Sequence, residues 1–140
     1  MSKIKDIFTL LGTTFNTFIA SNNLVLSHRV DDLKRGYFVL ERGRRLPVYT
    51  NIESSNFLQP QFQLKFGVMT ILNENVFNIE AAREKGWEAE NTLITAVNGM
   101  LHKSDGTVKV TNVRIDFSEV LTDTDTGQVQ ISIAFILQIN

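Results

Sequence analysis

The sequence has no cysteine and only two histidines among its 140 residues. Without cysteine the chain can form neither a disulfide bond nor a thiolate nucleophile, and it cannot hold zinc or an iron–sulfur cluster through sulfur. His28 and His102 each lack a second ligand at the spacing that metal sites use. We therefore expect no metal ion and no cofactor.

The motifs of the common enzyme classes are also missing. No GxGxxG, Walker-type loop, GxSxG or HExxH occurs, so the chain has no recognisable phosphate loop, nucleophile elbow or zinc-protease helix. Carboxylate pairs such as Glu88/Glu90 fall in a predicted helix, and the sequence shows no apolar pocket that would make one of them a general acid. We expect a protein that is not an enzyme.

Long apolar runs are absent as well. No stretch approaches the roughly 18 consecutive apolar residues of a membrane span, so we expect no membrane partner.

The net charge of −1 hides an asymmetry between the two halves of the chain. The first seventy residues carry nine Lys and Arg against five Asp and Glu, and the second seventy carry five against ten. A nearly neutral total argues against a dedicated DNA-binding domain. Two halves of opposite net charge are consistent with a self-complementary surface, although scattered solvated charges would give the same balance. Both interpretations stay open.

Two segments have the periodicity of amphipathic helices, residues 3–20 and 78–102. Gly86 is expected to bend or split the second helix. The apolar stripe of the first consists of Ile4, Ile7, Phe8, Leu11, Phe15, Phe18 and Ile19. The buried face of the second consists of Ala82, Ala89, Leu93, Ala96, Val97, Met100 and Leu101.

Strands are predicted from alternation at period two. Residues 37–41 and 46–50 are expected to form a hairpin around Arg42–Gly43–Arg44–Arg45, and residues 61–72, 107–117 and 127–139 to form three longer strands. Within 107–117 the apolar phase slips, which predicts a β-bulge near Thr111–Asn112 that places Val113, Ile115 and Phe117 on one face.

The predicted element order is helix, hairpin, strand, helix, strand, strand. It indicates a single α+β domain over residues 1–140, with a mixed, largely antiparallel sheet of about four to five strands. Two main helices pack on one face, and the β-hairpin extends from it. The connection from strand 61–72 through the helix to strand 107–117 would make those two strands parallel.

Arginines at the predicted hairpin tip form a candidate contact surface. Arg42, Arg44 and Arg45 could meet phosphates or an acidic partner surface, or they could only keep an exposed edge soluble. Glu80 and Glu84 offer an acidic counterpart on a neighbouring copy, which would be a heterologous contact of the kind that closes rings.

The loop Asp123–Gly127 has a partial DxDxG pattern. A calcium loop of the EF-hand kind would end in a bidentate Glu at its twelfth position, which here is Ala134. A hairpin loop is therefore predicted rather than a metal site. Asp123 and Asp125 join the arginines and glutamates as candidate interface residues.

The chain resembles the tail terminator proteins of long-tailed bacteriophages over nearly its whole length. The resemblance lies in the N-terminal amphipathic helix and in four segments: GRRLPVYTNI, FQLKFGVMTIL, EAENTLITAVNGML and VTNVRIDFSEVLTDTDTGQVQISIAFILQI, with Asp116 before the acidic loop.

This resemblance implies a homo-oligomeric ring, typically of six copies, at the head-proximal end of the tail. Such a ring ends polymerisation of the tail tube protein, offers a docking face to the head connector or stopper protein, and passes DNA through its lumen. The family has no catalytic residues. The implied location is the virion tail or neck, after assembly in the host cytoplasm.

Other functions stay open at this point. Another head–tail connector protein or the cap of a contractile injection device would have a similar sequence pattern. A small-ligand binding domain would need a pocket between sheet and helices, which Phe62, Phe66, Phe117 and Phe135 are predicted to fill. A nucleic-acid-binding module would use a basic cluster that consists of Arg29, Lys34, Arg35, Arg42, Arg44 and Arg45.

Overall fold

The computed structural model describes residues 3–29, 31, 33, 36–41, 45–46, 62–73, 79–101, 104–105, 108–123 and 128–139. Over these ranges the protein has two helices on one mixed sheet, which confirms the predicted α+β class. The helices are α1 (Lys3–Ser21) and α2 (Ile79–Asn98). The strands are β1 (Val25–Ser27), β2 (Tyr37–Glu41), β3 (Arg45–Leu46), β4 (Phe62–Asn73), β5 (Ser104–Asp105), β6 (Val108–Asp123) and β7 (Gln128–Ile139).

The strand order across the sheet is β1-β2-β4-β7-β6-β5, with β3 also paired to β4. β1 and β2 are parallel, and every other described pairing is antiparallel. Because β4 and β6 are both antiparallel to β7, they run in the same direction, as the crossover predicted. They are not neighbours, however, since β7 lies between them.

The core lies on the helix side of the two central strands. All twelve residues of β4 pair with β7, so alternate side chains of both strands share one face. Leu64, Phe66, Val68 and Leu72 are buried there against Leu137, Phe135, Ile133 and Val129 of β7. The rings of Phe66 and Phe135 stack with centroids 5.3 Å apart.

The helices cover this face with the apolar stripes that their periodicity predicts. On α1 the buried side chains are Ile7, Phe8, Leu11, Phe15 and Phe18, and on α2 they are Ala82, Ala89, Leu93 and Val97, followed by Met100. Phe38 of β2 packs against α1. The centroid of its ring lies 5.2 Å from that of Phe15 and 5.8 Å from that of Phe18. Leu101 is 41% exposed rather than buried, since α2 ends at Asn98.

The expected hairpin pairing of β2 with the segment after the arginines is wrong at its described residues. Arg45 and Leu46 pair with Leu64 and Gln63 of β4 instead of folding back on β2. The reason is that both sides of β2 are already taken, one by β1 and the other by β4. Residues 47–50, the rest of the predicted second strand, lie outside the described residues.

The long strand β6 contains two bulges, of which the sequence indicated one. The register to β7 shifts between Val110 and Asn112, as predicted, and again between Ile115 and Phe117. The second shift makes Asp116 an extra residue, so that Ile115 and Phe117 point to opposite faces. Phe117 is therefore 48% exposed and does not join the core, which corrects the prediction that it fills the sheet–helix interface.

Gly86 does not split α2, which is continuous through it. Instead, the helix backbone at Gly86 lies close against the sheet. A Cβ at this position would meet Val120 Cγ1 of β6 and lie 2.8 Å from Val129 Cγ1 of β7. Gly86 therefore sets the spacing between α2 and the sheet.

We predict that Gly86→Ala destabilises the protein by about 1–3 kcal/mol, because the added methyl overpacks the contact with the two valines. The matched control is Gly12→Ala on α1, where a Cβ meets nothing within 4 Å. That change should stabilise by up to about 1 kcal/mol through helix propensity. Urea denaturation of both variants measures the two free energies, and an equal shift in the same direction would contradict the assigned role of Gly86.

Candidate assembly interface

The β6 edge is defined here as Val110–Asp123 on the side away from β7, and among the described residues no further strand pairs with it. β5 occupies that side only opposite Val108 and Lys109. Within the described part of the chain, no strand therefore takes up the backbone N–H and C=O groups on that side. A long open edge is the usual site at which a second chain adds to a sheet.

Exposed apolar side chains concentrate at the two edges of the sheet. Among the described residues seven large hydrophobic side chains are exposed, and five of them lie on edge strands. They are Val25 and Leu26 on β1, Ile115, Phe117 and Leu121 on β6, and Trp87 and Leu101 at α2. Clusters of this kind mark protein–protein contact sites more often than scattered exposure does.

The helix α2 borders the β6 edge on its covered side. Glu90 Oε2 accepts a 2.6 Å hydrogen bond from Ser118 Oγ of β6, and the contact of Gly86 with Val120 lies one turn earlier on the helix. Trp87 is 57% exposed and precedes Glu90 by three residues, so the two are neighbours on the surface of α2. The edge therefore has apolar surface on both of its sides, Trp87 and Ile115 on one, Phe117 and Leu121 on the other.

The bulge at Asp116 is tied to the middle of the sheet by an ion pair. Lys65 Nζ of β4 lies 2.8 Å from Asp116 Oδ2, and the two side chains are 35% and 41% exposed. Between them runs β7, where Ile136 is opposite Lys65 and Arg114. The hydrogen bond from Lys65 and its positive charge hold the pKa of Asp116 below its usual value, with a smaller contribution from Arg114.

The candidate interface residues from the sequence are only partly visible in the fold. Glu80 and Glu84 are exposed on the first turns of α2, and Asp123 is exposed at the end of β6. The backbone of Arg45 belongs to β3. Arg42, Arg44 and Asp125 lie outside the described residues, so the proposed contact between the arginines and the glutamates stays a prediction.

The β6 edge was not among the contact surfaces predicted from the sequence. The signal was present in the order of apolar residues, since Val113 and Ile115 are in phase with each other but out of phase with Val120. A second bulge between them restores the phase, and it turns Phe117 to the face opposite the helices. The short strands β1 and β5 left no periodic signal, because they have only two or three residues.

A groove of about 280 Å³ opens to solvent between α1 and α2. Its lining includes the apolar side chains of Phe18 and Leu72 and the polar residues Thr14, Thr17, Thr92, Lys85 and Glu88. It lies between the helices rather than between helices and sheet, where Phe66 and Phe135 fill the space. Over the described ranges no three His, Asp or Glu side chains come together as metal ligands.

No protein-family model and no curated protein matches this sequence. Within the described residues, neither helix is long and apolar enough to cross a membrane. The function therefore has to be argued from the surfaces of the fold.

We predict that Asp116→Asn lowers stability at neutral pH, because it removes the charge that Lys65 pairs with. The pKa of this carboxyl is lower in the folded than in the unfolded protein, so its contribution is complete only well above the unfolded pKa of about 3.9 and is lost as the pH falls through the folded value. Denaturation midpoints of both proteins should differ at pH 7 and converge as the pH falls below the folded-state pKa of Asp116.

Asp31→Asn is the matched control for this change. Asp31 forms a looser pair with Arg29 at 3.9 Å, with both side chains at least 75% exposed, and such pairs contribute little. A midpoint for Asp116→Asn that equals the Asp31→Asn midpoint at every pH would show that the ion pair does not hold the bulge.

Proposed function

We propose that this protein is a structural subunit of a long-tailed bacteriophage, a tail terminator. In this role several copies form a ring at the head-proximal end of the tail tube. The observation that carries the proposal is the concentration of exposed apolar side chains at the two edges of one sheet. A protein built to bind a small ligand would concentrate them in a pocket instead.

The two edges differ from each other, and this favours a ring. The β1 edge is short and presents Val25 and Leu26, whereas the β6 edge is long and presents Phe117 and Leu121. A contact between two unlike surfaces of identical chains is heterologous, so it repeats from copy to copy until the rotation closes. The resemblance to tail terminators adds the expected number of copies, six.

The remaining steps of the role rest on the resemblance. The ring would end polymerisation of the tail tube protein with one face and meet the head connector or stopper protein with the other, while DNA passes through the lumen. A different head–tail connector protein or an injection-device cap would use the same edges, and the symmetry of the assembly separates these alternatives. For a tail terminator or a head–tail connector the location would be the virion.

The experiment is negative-stain electron microscopy and native mass spectrometry of concentrated protein, with and without magnesium. We expect closed rings of six copies. Leu26→Asp on β1 and Leu121→Asp on β6 should each abolish the rings, because a charge replaces an apolar side chain of the contact. Each variant is checked for an unchanged denaturation midpoint, since both side chains are exposed in the single copy.

Leu101→Asp is the matched control. Leu101 is as exposed as Ile115 but lies after α2 and on neither edge strand, so its replacement should leave the rings intact. Rings that survive both edge variants would refute the edge contact. An assembly that never grows beyond two copies under any condition would refute the ring itself.

A further inference from the structure

The charges along the β6 edge change sign at its centre. Arg114 precedes Phe117, and Glu119 and Asp123 follow it. On the face without helices these residues lie on alternate ladder positions, because their β7 partners are Ile136, Ala134, Ser132 and Gln128. The first half of this face is therefore basic and the second half acidic.

We propose that the β6 edge of the free protein pairs with the β6 edge of a second copy. The two strands run antiparallel about a two-fold axis at Phe117. This inference concerns the protein before any ring forms, and it does not depend on the proposed function. The partner is a second copy of this chain rather than a different protein, for three reasons of register.

The first reason is charge. Arg114 and Glu119 lie two ladder positions on either side of Phe117, as their β7 partners show. An antiparallel pair centred on Phe117 therefore places each Arg114 opposite the Glu119 of the other copy, and Phe117 opposite itself. Opposite charges and aromatic rings are favourable when they are directly opposed in neighbouring strands. Moving the axis to Arg114 or to Glu119 would oppose like charges.

The second reason is the covered face, where the same register opposes apolar side chains. Val113 and Val120 are each three ladder positions from Phe117, so they meet across the axis. Both are partly buried against the core of their own copy, and a neighbouring strand would complete that burial. Trp87 on α2 lies on this side of the edge and would cover the pair.

The third reason is length. Val110 and Thr122 are each five ladder positions from Phe117, so the register uses residues 110–122. At the N-terminal end it stops where β5 takes the outer side of β6, opposite Lys109. The pair therefore fits into the open part of the edge without displacing a strand.

Bulges and charges usually protect an edge from pairing, and both are present here. The side chain of Asp116 is drawn over β7 by its ion pair with Lys65, which keeps this carboxylate away from an incoming strand. The other charges are of both signs, so they select one register instead of repelling every strand. A ring contact on the β6 edge would have to replace this pair.

Single cysteines test the register directly, because the natural chain has none. In the proposed pair Arg114→Cys of one copy lies opposite Glu119→Cys of the other, with Cα atoms about 5 Å apart, which suits a disulfide. Each variant alone has its two cysteines about 13 Å apart along the strands. We expect mild oxidation to cross-link the 1:1 mixture into a dimer and to leave each variant alone, and Leu101→Cys, uncross-linked.

A charge swap tests the energy of the same contact. Arg114→Glu and Glu119→Arg should each weaken dimerisation roughly tenfold in sedimentation equilibrium, because each creates two contacts between like charges. The double variant restores opposite charges and should recover the affinity of the natural protein, which general loss of stability would not allow.

A natural protein that is monomeric at its highest soluble concentration overturns the inference, and so does a double variant that stays as weak as the single ones. The outcomes also separate this pair from the ring. Dimers that cross-link through positions 114 and 119 but never form rings would reject the proposed function alone. Rings without that cross-link would reject only the pair described here.

Discussion

The antiparallel pairing of β4 with β7 is the constraint on which the rest of the structure depends. Its twelve residue pairs put Leu64, Phe66 and Val68 on the same face as their partners in β7, and this face is the surface on which both helices pack. A shift of one residue would turn every one of these side chains to the other face. The stacked rings of Phe66 and Phe135 lie near the middle of the ladder, where such a shift would separate them.

Because β4 and β7 occupy the centre, the edges fall to β1 and β6, and the two edges are built differently. β1 is three residues long and joins by parallel pairing to β2. β6 has sixteen residues, two bulges and a cross-sheet ion pair. One side of β6 pairs with β7 along the strand. Among the described residues, the other side pairs only at Val108 and Lys109, and large apolar side chains of β6 are exposed.

Much of the fold could be predicted from periodicity, because amphipathic elements report which face they bury. The stripes of α1 and α2, the long strands and the bulge at Thr111 were all visible in this way. The pairing of Arg45 with β4 could not be predicted in this way. A strand of two residues is too short to show an alternating pattern, and the strand beside β2 is determined by the whole sheet. Gly86 was read as a helix breaker because propensity describes an isolated helix, whereas Val120 and Val129 decide its role in three dimensions.

The candidate interface was harder to predict for a physical reason. An edge is defined by the strand that is missing beside it, and strand order is a property of the whole sheet rather than of any segment. Phe117 looked like a core residue because its neighbours alternate correctly as far as Ile115. Only the extra residue Asp116, placed by Lys65 from two strands away, turns it outward. Charge reversal along β6 is visible in the sequence, but its meaning depends on knowing that this strand is at the edge.

The position of β7 has a consequence for synthesis of the protein. β4 and β6 do not pair with each other and are linked across β7 by the ion pair of Lys65 with Asp116, yet both precede β7 in the chain. Until β7 has left the ribosome, β4 and β6 lack the strand with which both of them pair. Their apolar faces stay exposed, and the core between the helices and the sheet cannot form. Pairing between segments so distant in sequence is slow to form, and exposed strands are prone to aggregate meanwhile. Chaperone capture of the nascent chain would therefore be concentrated in the interval after α2 has emerged.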